Sequence, residues 1–152
     1  MLPKSVLTSL VASGFLLSAF PAGAQFARPE DAVKYRQAAL TIMNTHLNRI
    51  GAMANGRVPL DANTLLEDAE TLGTVSRLPW AGFVPATERI SSRAKPEIWA
   101  ELPKFKERSE ALMAETAKLV AAARTQNLDQ IKAAFNATDS ACRACHNAYR
   151  SR

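Results

Sequence analysis

The chain has 152 residues, of which 47% are hydrophobic and 22% charged, and its net charge is +5 at pH 7. This length suits one domain of ordinary size with its own core, and excludes two. Most basic residues are interleaved with acids, and aromatic residues do not alternate with them as they do in nucleic-acid-binding surfaces. Composition therefore predicts neither a nucleic-acid partner nor a multidomain protein.

The N-terminal segment has the pattern of a secretory signal peptide. Lys4 precedes an apolar run over residues 6–20, and the small residues 22–24 follow as a cleavage site. The run is too short and interrupted for a comfortable bilayer span, so an uncleaved anchor is the weaker alternative. We therefore expect residues 1–24 to be removed, residues 25–152 to form the mature domain, and the protein to reside in the periplasm, an oxidising compartment.

Two helices are predicted in the first half of the mature domain. The first begins at Pro29, since proline has the helical φ and acids follow it at the positive end of the helix dipole. Gly51 and Asn55-Gly56 are expected to end it. The second is capped by Asp61 and stops before Pro79. Inward positions recur in steps of three and four: Arg36, Leu40, Met43, Leu47 and Ile50, then Leu65, Leu66, Ala69, Leu72 and Val75.

Residues 78–103 break the helical pattern, because prolines and a glycine recur among large apolar residues. We expect an irregular crossover with a buried role, in which residues 96–99 can begin a short helical turn. A third helix is then predicted to run to about Gln126, and a fourth to follow Asn127. Their inward positions are Phe105, Leu112, Thr116, Leu119 and Ala123, then Leu128, Ile131, Phe135, Thr138, Cys142, Cys145 and Tyr149. The fold class is thus all-α, an antiparallel four-helix bundle.

The last predicted helix carries the c-type haem attachment pattern Cys-x-x-Cys-His at residues 142–146. On a helix, Cys142, Cys145 and His146 project from one face. The two thiols suit thioether bonds to haem vinyl groups, and the imidazole can bind the iron from the same side. The sequence therefore predicts one haem c, bound covalently on the C-terminal helix, with His146 as the iron ligand.

The cysteine pair has three alternative roles, each of which fits the sequence less well. A thioredoxin-like dithiol needs a strand and helix context that the pattern lacks. A zinc site needs a fourth ligand, and the only other histidine is His46. A disulfide between helical cysteines at this spacing has poor geometry. Covalent haem is the interpretation that uses both cysteines and the histidine.

The chain resembles cytochrome c′, the class II branch of the c-type cytochromes, over nearly all of residues 25–152. The resemblance rests on four blocks together, at residues 29–37, 78–83, 96–99 and 142–150. Class I cytochromes c carry their attachment motif near the mature N-terminus, whereas it lies near the C-terminus here. The resemblance implies a four-helix bundle and an antiparallel homodimer formed through the first two helices.

The resemblance also implies a haem pocket made of Arg36, Gln37, Leu40, Trp80, Phe83 and Arg150. Arg36 and Gln37 match positions near the haem propionates, and Arg150 matches one on the proximal side. Trp80 and Phe83 match walls of the pocket. Alternatives remain open: solvation of Arg36 at the surface, ordinary core packing of the two aromatic residues, and a role for Arg150 at the negative end of the last helix.

Whether the haem iron has a second protein ligand opposite His146 distinguishes a gas-binding protein from an electron carrier. Met43, Met53, Met113 and His46 are the candidates, but an inward methionine is more often core, and His46 lies off the stripe and is expected to be exposed. Low-spin relatives, the cytochromes c-556, resemble this chain but carry their ligand methionine at the position matching Leu40. We therefore expect five-coordinate, high-spin iron. The alternative is an electron-transfer cytochrome with six-coordinate His/Met haem.

An apolar Leu40 over the iron offers no hydrogen bond to dioxygen, so nitric oxide and carbon monoxide are the expected ligands. No distal histidine, carboxylate or arginine is arranged for peroxide cleavage, so we do not expect an enzyme. Basic residues near the last helix either form a solvated surface or steer an acidic redox protein partner. Neither nucleic acid nor a membrane is an expected partner.

Overall fold

The structure is a computed structural model that describes residues 25–152, so the predicted signal peptide at residues 1–24 lies outside the described residues. The described chain forms five helices, with no strand among them. They are α1 (Pro29–Ala54), α2 (Ala62–Val75), the short α3 (Glu97–Ala100), α4 (Leu102–Thr125) and α5 (Leu128–Tyr149). The four long helices pack as a four-helix bundle, which confirms the predicted fold class.

The predicted helix boundaries have local causes. The Asp61 carboxylate accepts hydrogen bonds from the main-chain N–H groups of Asn63 and Thr64, both at 3.0 Å, and so caps α2. The Asn127 side chain caps α5 in the same way. Between α4 and α5, Gln126 has a φ of 55°, in the left-handed region that ends a helix. A two-residue connection therefore reverses the chain, and α4 packs along α5.

Gly51 does not end α1, contrary to the sequence prediction, since the helix continues to Ala54. Gly51 lies instead where α1 meets α5. A Cβ atom at this position would lie 2.5 Å from Cζ of Phe135. The glycine thus allows the Phe135 ring to pack close to the backbone of α1. Because glycine can serve such contacts inside a helix as well as helix ends, its presence at position 51 wrongly predicted a helix end.

One continuous core runs between the long helices and contains most of the predicted inward residues. Its buried members include Met43, Leu47, Ile50, Leu65, Ala69, Leu72, Leu112, Leu119, Ala123 and Ile131. Leu128 is an exception, because it is exposed at the first turn of α5 rather than inward. The haem cysteines lie on the same face of α5 as Ile131, as the spacing predicted.

The crossover between α2 and α4 is irregular, as predicted. It contains two 3₁₀ turns, Pro79–Gly82 and Pro85–Thr87, and then α3, which is the short helical turn expected near residues 96–99. Both 3₁₀ turns pack against α1. Within residues 25–152, no helix combines the length and apolar character needed to cross a bilayer.

Candidate haem site

The two cysteines of α5 face two apolar clusters at one end of the bundle. Cys142 packs, with Leu40 and Trp80, against the main core. Cys145 packs against a second cluster that includes Phe105 and Tyr149. Both cysteines are free thiols and half-buried. The attachment motif is thus presented on the inner face of its helix, between α1, α4 and the crossover.

Four aromatic residues, here called the aromatic cluster, pack beside Cys145: Trp80, Phe83, Phe105 and Tyr149. The ring centroids of Phe83 and Phe105 are 4.8 Å apart, and those of Phe105 and Tyr149 are 5.3 Å apart with perpendicular planes. Trp80 donates its indole N–H to the carbonyl of Ser76 at 2.7 Å. The predicted wall residues Trp80 and Phe83 therefore lie together and next to the motif, with flat apolar surfaces that suit a porphyrin.

Burial controls the chemistry of the thiols. It raises the pKa of Cys142 to about 11, and the negative charge of Asp139 adds to this effect. Burial also raises the pKa of Cys145, while the nearby Arg108 acts in the opposite direction. The thiols of the packed helix are therefore protonated at neutral pH and poor nucleophiles. The raised pKa values disfavour the thiolate form that redox exchange and metal binding require.

His146 lies on the outer side of the motif, where much of its surface is accessible. Partial burial lowers its pKa, and the positive charges of Arg150 and Arg93 lower it further. A neutral imidazole is the form that binds iron. Arg150 is the first residue beyond α5, and its main-chain N–H donates to the His146 carbonyl at 3.0 Å. The two residues are thus one helical turn apart, as their spacing predicted.

Arg36 projects inward from α1 and is 2% exposed, which excludes the alternative of a solvated surface residue. One terminal nitrogen, Nη1, donates to the Gly82 carbonyl at 2.8 Å and to the Thr87 hydroxyl at 2.9 Å. The other, Nη2, donates to the Ser92 hydroxyl at 3.2 Å. Its guanidinium carbon lies 4.3 Å from the ring centroid of Phe83. Arg36 therefore anchors the crossover to α1.

The charge of Arg36 has no acidic counterpart among the described residues, since its three bonding partners are neutral oxygens. Burial lowers its pKa, because the charged form loses hydration there. Buried charges are normally paired. Three of the five N–H groups of Arg36 are used, so two can still donate. A haem propionate is an anion of the kind this site lacks, so the residue fits the cofactor that the cysteines imply.

Sequence reasoning missed Thr87, Ser92 and Lys95, which also build this end of the bundle. Thr87 is fully buried and holds Arg36, and it also donates to the Val84 carbonyl. The Lys95 ammonium donates to two carbonyls at the end of α5, each at 3.2 Å. No motif signals these contacts, because small polar residues in an irregular segment acquire their partners only through the fold.

Of the other predicted pocket residues, Leu40 is half-buried and Gln37 is exposed next to the buried Arg36. His46 is not simply exposed, contrary to prediction. Its Nδ1 lies 2.7 Å from a carboxylate oxygen of Asp68, which is 2% exposed, and Arg49 approaches the other oxygen at 3.1 Å. A buried carboxylate on α2 thus draws His46 toward it, an interaction between helices that the stripe of α1 could not reveal.

A four-helix bundle whose last helix turns the two cysteines of Cys-x-x-Cys-His toward the core, with His146 on the outer side, has the arrangement of a class II c-type cytochrome. A family model described as Cytochrome C' matches residues 31–150. The cytochrome c′ of Alcaligenes xylosoxydans xylosoxydans is 46% identical over 128 residues, covering 84% of this chain and 99% of that protein. This chain belongs to the cytochrome c′ family, whose cofactor is covalently bound haem c.

Solved structures agree with this assignment. The crystal structure of cytochrome c′ from Rubrivivax gelatinosus matches with a TM-score of 0.81 and 38% identity, covering 84% of this chain and all of the other. A nitric oxide complex of a leucine-to-alanine variant of cytochrome c′ from Alcaligenes xylosoxidans matches with a TM-score of 0.79 and 44% identity, covering 84% and 99%.

Proposed function

We propose that this protein is a periplasmic haem protein that binds nitric oxide and carbon monoxide at an open iron site facing Leu40. The role is binding, as in sequestration or transport of nitric oxide, rather than catalysis. When bound, the haem supplies a coordination position for a diatomic gas. Cys142 and Cys145 would hold the haem, and His146 would be the protein ligand of its iron.

The position of Leu40 carries this proposal. Leu40 lies on the inner face of α1 and packs against the same core as Cys142 and Trp80. Its side chain has no atom that can coordinate iron or donate a hydrogen bond. A hydrocarbon group there crowds an incoming ligand and gives no polar stabilisation to bound dioxygen. Nitric oxide and carbon monoxide depend less on such stabilisation, so they are favoured.

Three of the four candidate protein ligands, all except Met113, already have other packing or bonding partners. Met43 and Met53 are both buried in the main core, and Met53 lies near the end of α1 remote from the cysteines. His46 is paired with Asp68. Met43 is the residue on which the alternative depends, because it lies one turn beyond Leu40. A six-coordinate electron carrier would need its thioether to leave the core packing and reach the iron.

Polar residues at the pocket have supporting roles in this proposal. Arg36 would bind a haem propionate through its two remaining N–H groups, and Gln37 would assist from the adjacent exposed position. Arg150, one turn beyond His146, would place a positive charge on the proximal side. The pattern of residues 1–24 supports export, and the nitric oxide complexes of the Alcaligenes xylosoxidans relative support gas binding.

A homodimer formed through α1 and α2 completes the proposal. These helices leave Ile42, Val58 and Leu60 with 43%, 46% and 44% of their surfaces exposed, on α1 and on its connection to α2. Exposed apolar residues on these elements would be buried in a symmetric interface between two copies.

Carbon monoxide binding to the ferrous protein tests the open site. We expect a high-spin spectrum that changes on addition of carbon monoxide, and slow association. Leu40→Ala should raise the association rate about tenfold or more, equivalent to ~1.4 kcal/mol or more of barrier. Leu47→Ala is the matched control, since it is the same truncation on the same face two turns away. It should cost about 2–5 kcal/mol of stability and leave the rate nearly unchanged.

A low-spin ferrous spectrum that carbon monoxide does not alter would reject the proposal. If Met43→Leu then converted that spectrum to high spin, the six-coordinate alternative would be established. Equal acceleration by Leu40→Ala and Leu47→Ala would show that general loosening of the bundle, rather than screening by Leu40, admits the gas.

A further inference from the structure

A recess of about 620 Å³ lies on the outer side of His146. It is lined by Arg93, Lys95, His146, Asn147, Arg150, Ser151 and Arg152, and is here called the basic recess. Two segments supply its four cationic side chains: the crossover and the residues that follow α5. The recess is therefore positively charged and adjoins the residue that ligates the haem iron in this family's motif.

The recess is built by the fold rather than by a loose chain end. Ala94 and Arg150 form an antiparallel bridge, in which Lys95 donates its main-chain N–H to the Tyr149 carbonyl at 3.0 Å. Ser151 donates its N–H to the Arg93 carbonyl at 2.9 Å. The Arg93 side chain donates to the Ser151 carbonyl at 3.2 Å. These bonds hold the basic side chains of the two segments beside each other before any partner arrives.

The charge of the recess is not neutralised within residues 25–152. No carboxylate there lies within 4.0 Å of Arg93, Lys95, Arg150 or Arg152, whereas seven Lys and Arg side chains elsewhere have such a partner. The side chains of Lys95 and Arg93 form hydrogen bonds only with main-chain carbonyls. The charges of these side chains therefore remain available to a partner.

We propose that the basic recess is the docking surface for an acidic one-electron redox protein. Unpaired, exposed cations held in fixed positions attract a complementary acidic surface and accelerate its association. No Phe, Tyr or Trp side chain lines the recess, so it lacks the large aromatic rings on which nucleic-acid bases stack. In the complex, the partner's centre would lose one electron and the haem, when bound, would accept it, with no bond or proton transferred.

Binding to a plant-type [2Fe–2S] ferredoxin, an acidic one-electron protein, tests this surface. The test variant is Arg93→Gln with Arg152→Gln. The matched control is Arg57→Gln with Lys132→Gln, which removes the same charge at the opposite end of the bundle, where both residues line a separate recess. Lys132 lies fourteen residues before His146 on α5, about 21 Å along the helix. The dissociation constant is measured by calorimetry at low salt, about 10 mM, and again at about 300 mM.

We expect saturable binding at low salt and no binding at high salt. The test variant should weaken the binding at low salt about tenfold, and the control pair should weaken it at most about twofold. The single variant Arg152→Gln tests whether loss of binding could result from misfolding. Arg152 forms no side-chain hydrogen bond or ion pair with a described residue, so this variant should keep the fold and still weaken binding measurably. Equal loss of affinity in the test and control pairs would show that only net charge matters and would overturn the proposal. Absence of binding would also overturn it, as would tighter binding of duplex DNA with the same dependence on the variants. Calorimetry needs no gas, so its outcome is independent of the open iron site.

Discussion

Arg36 shows how one buried charge can organise a pocket. Its guanidinium is held by three oxygens from the crossover and lies against the Phe83 ring. Trp99 is also near, with its ring centroid 5.7 Å from the guanidinium carbon. A lysine could not satisfy these partners together, since only the planar guanidinium presents donors in several fixed directions. The residue therefore links α1 to the segment that carries the pocket wall.

Removal of the Arg36 donors should loosen the crossover. Arg36→Leu leaves the Gly82 carbonyl and the hydroxyls of Thr87 and Ser92 without their donor, so we expect the free energy of unfolding to fall by about 2–4 kcal/mol. We also expect faster proteolytic cleavage within the crossover. Urea titration and limited proteolysis measure the two effects.

The control for this substitution is Arg89→Leu, an exposed arginine in the same segment that forms no side-chain hydrogen bond or ion pair with a described residue. It should change stability by less than about 0.5 kcal/mol. Arg36→Lys should lie between the two, since it keeps the charge and loses the fork. Unaltered proteolysis of Arg36→Leu would contradict the anchoring role.

At this scale, sequence reasoning predicted which residues matter better than it predicted their contacts. The spacing of Arg36 on the inward stripe of α1 indicated that the residue is buried. Its partners Thr87 and Ser92 had no signal, because they are distant in sequence and lie in a segment without periodicity. His46 was misjudged for the same reason, since its partner Asp68 belongs to another helix.

At the scale of elements, the long helices were predictable because caps and periodicity act within a few residues. Asp61 and Asn127 cap their helices, and the inward steps of three and four match the observed core. The errors come from tertiary packing. Gly51 was predicted to end α1 but instead packs against the Phe135 ring. The pairing of Ala94 with Arg150 had no sequence signal, because it depends on where the crossover ends.

The first 3₁₀ turn of the crossover presses on α1 through Gly82. A Cβ atom added there would lie 2.5 Å from the Ala32 carbonyl oxygen and 2.9 Å from Cβ of Arg36. Because main-chain atoms cannot move away cheaply, Gly82→Ala should displace the turn and break its bond with Arg36. We expect a loss of about 1–3 kcal/mol in the free energy of unfolding, by thermal or urea denaturation.

The displaced turn also carries Trp80 and Phe83, so Gly82→Ala should alter the carbon monoxide association rate together with stability. Gly73→Ala is a matched control within α2, where the added Cβ would meet only a methyl group of Val120 at 3.0 Å. That variant should leave the association rate unchanged. If Gly82→Ala affected neither property, the turn would be shown to move freely on α1.

At the scale of the whole molecule, the haem motif lies at one end of the bundle, and the exposed apolar residues Val58 and Leu60 lie at the other. The net charge of the sequence did not predict that unpaired cations gather at the end with the haem motif, because the cations of the basic recess come from two segments that are distant in sequence. Which cations remain unpaired depends on the fold, since Arg143 has Asp139 one helical turn away and Arg150 has no such acid.

The proposed homodimer leads to a prediction about Ile42, which is 43% exposed on α1. In a two-fold symmetric interface through α1 and α2, a lysine at this position would lose hydration of its charge against the second copy. Ile42→Lys should therefore weaken association at least about tenfold, as measured by sedimentation equilibrium.

Leu102→Lys is the matched control, since Leu102 is 47% exposed but begins α4, outside the proposed interface. The unsubstituted protein should sediment at twice the monomer mass at micromolar concentration. A monomer under those conditions, or equal weakening by the two lysines, would place the contact elsewhere, because only an interface through α1 makes position 42 more sensitive than position 102.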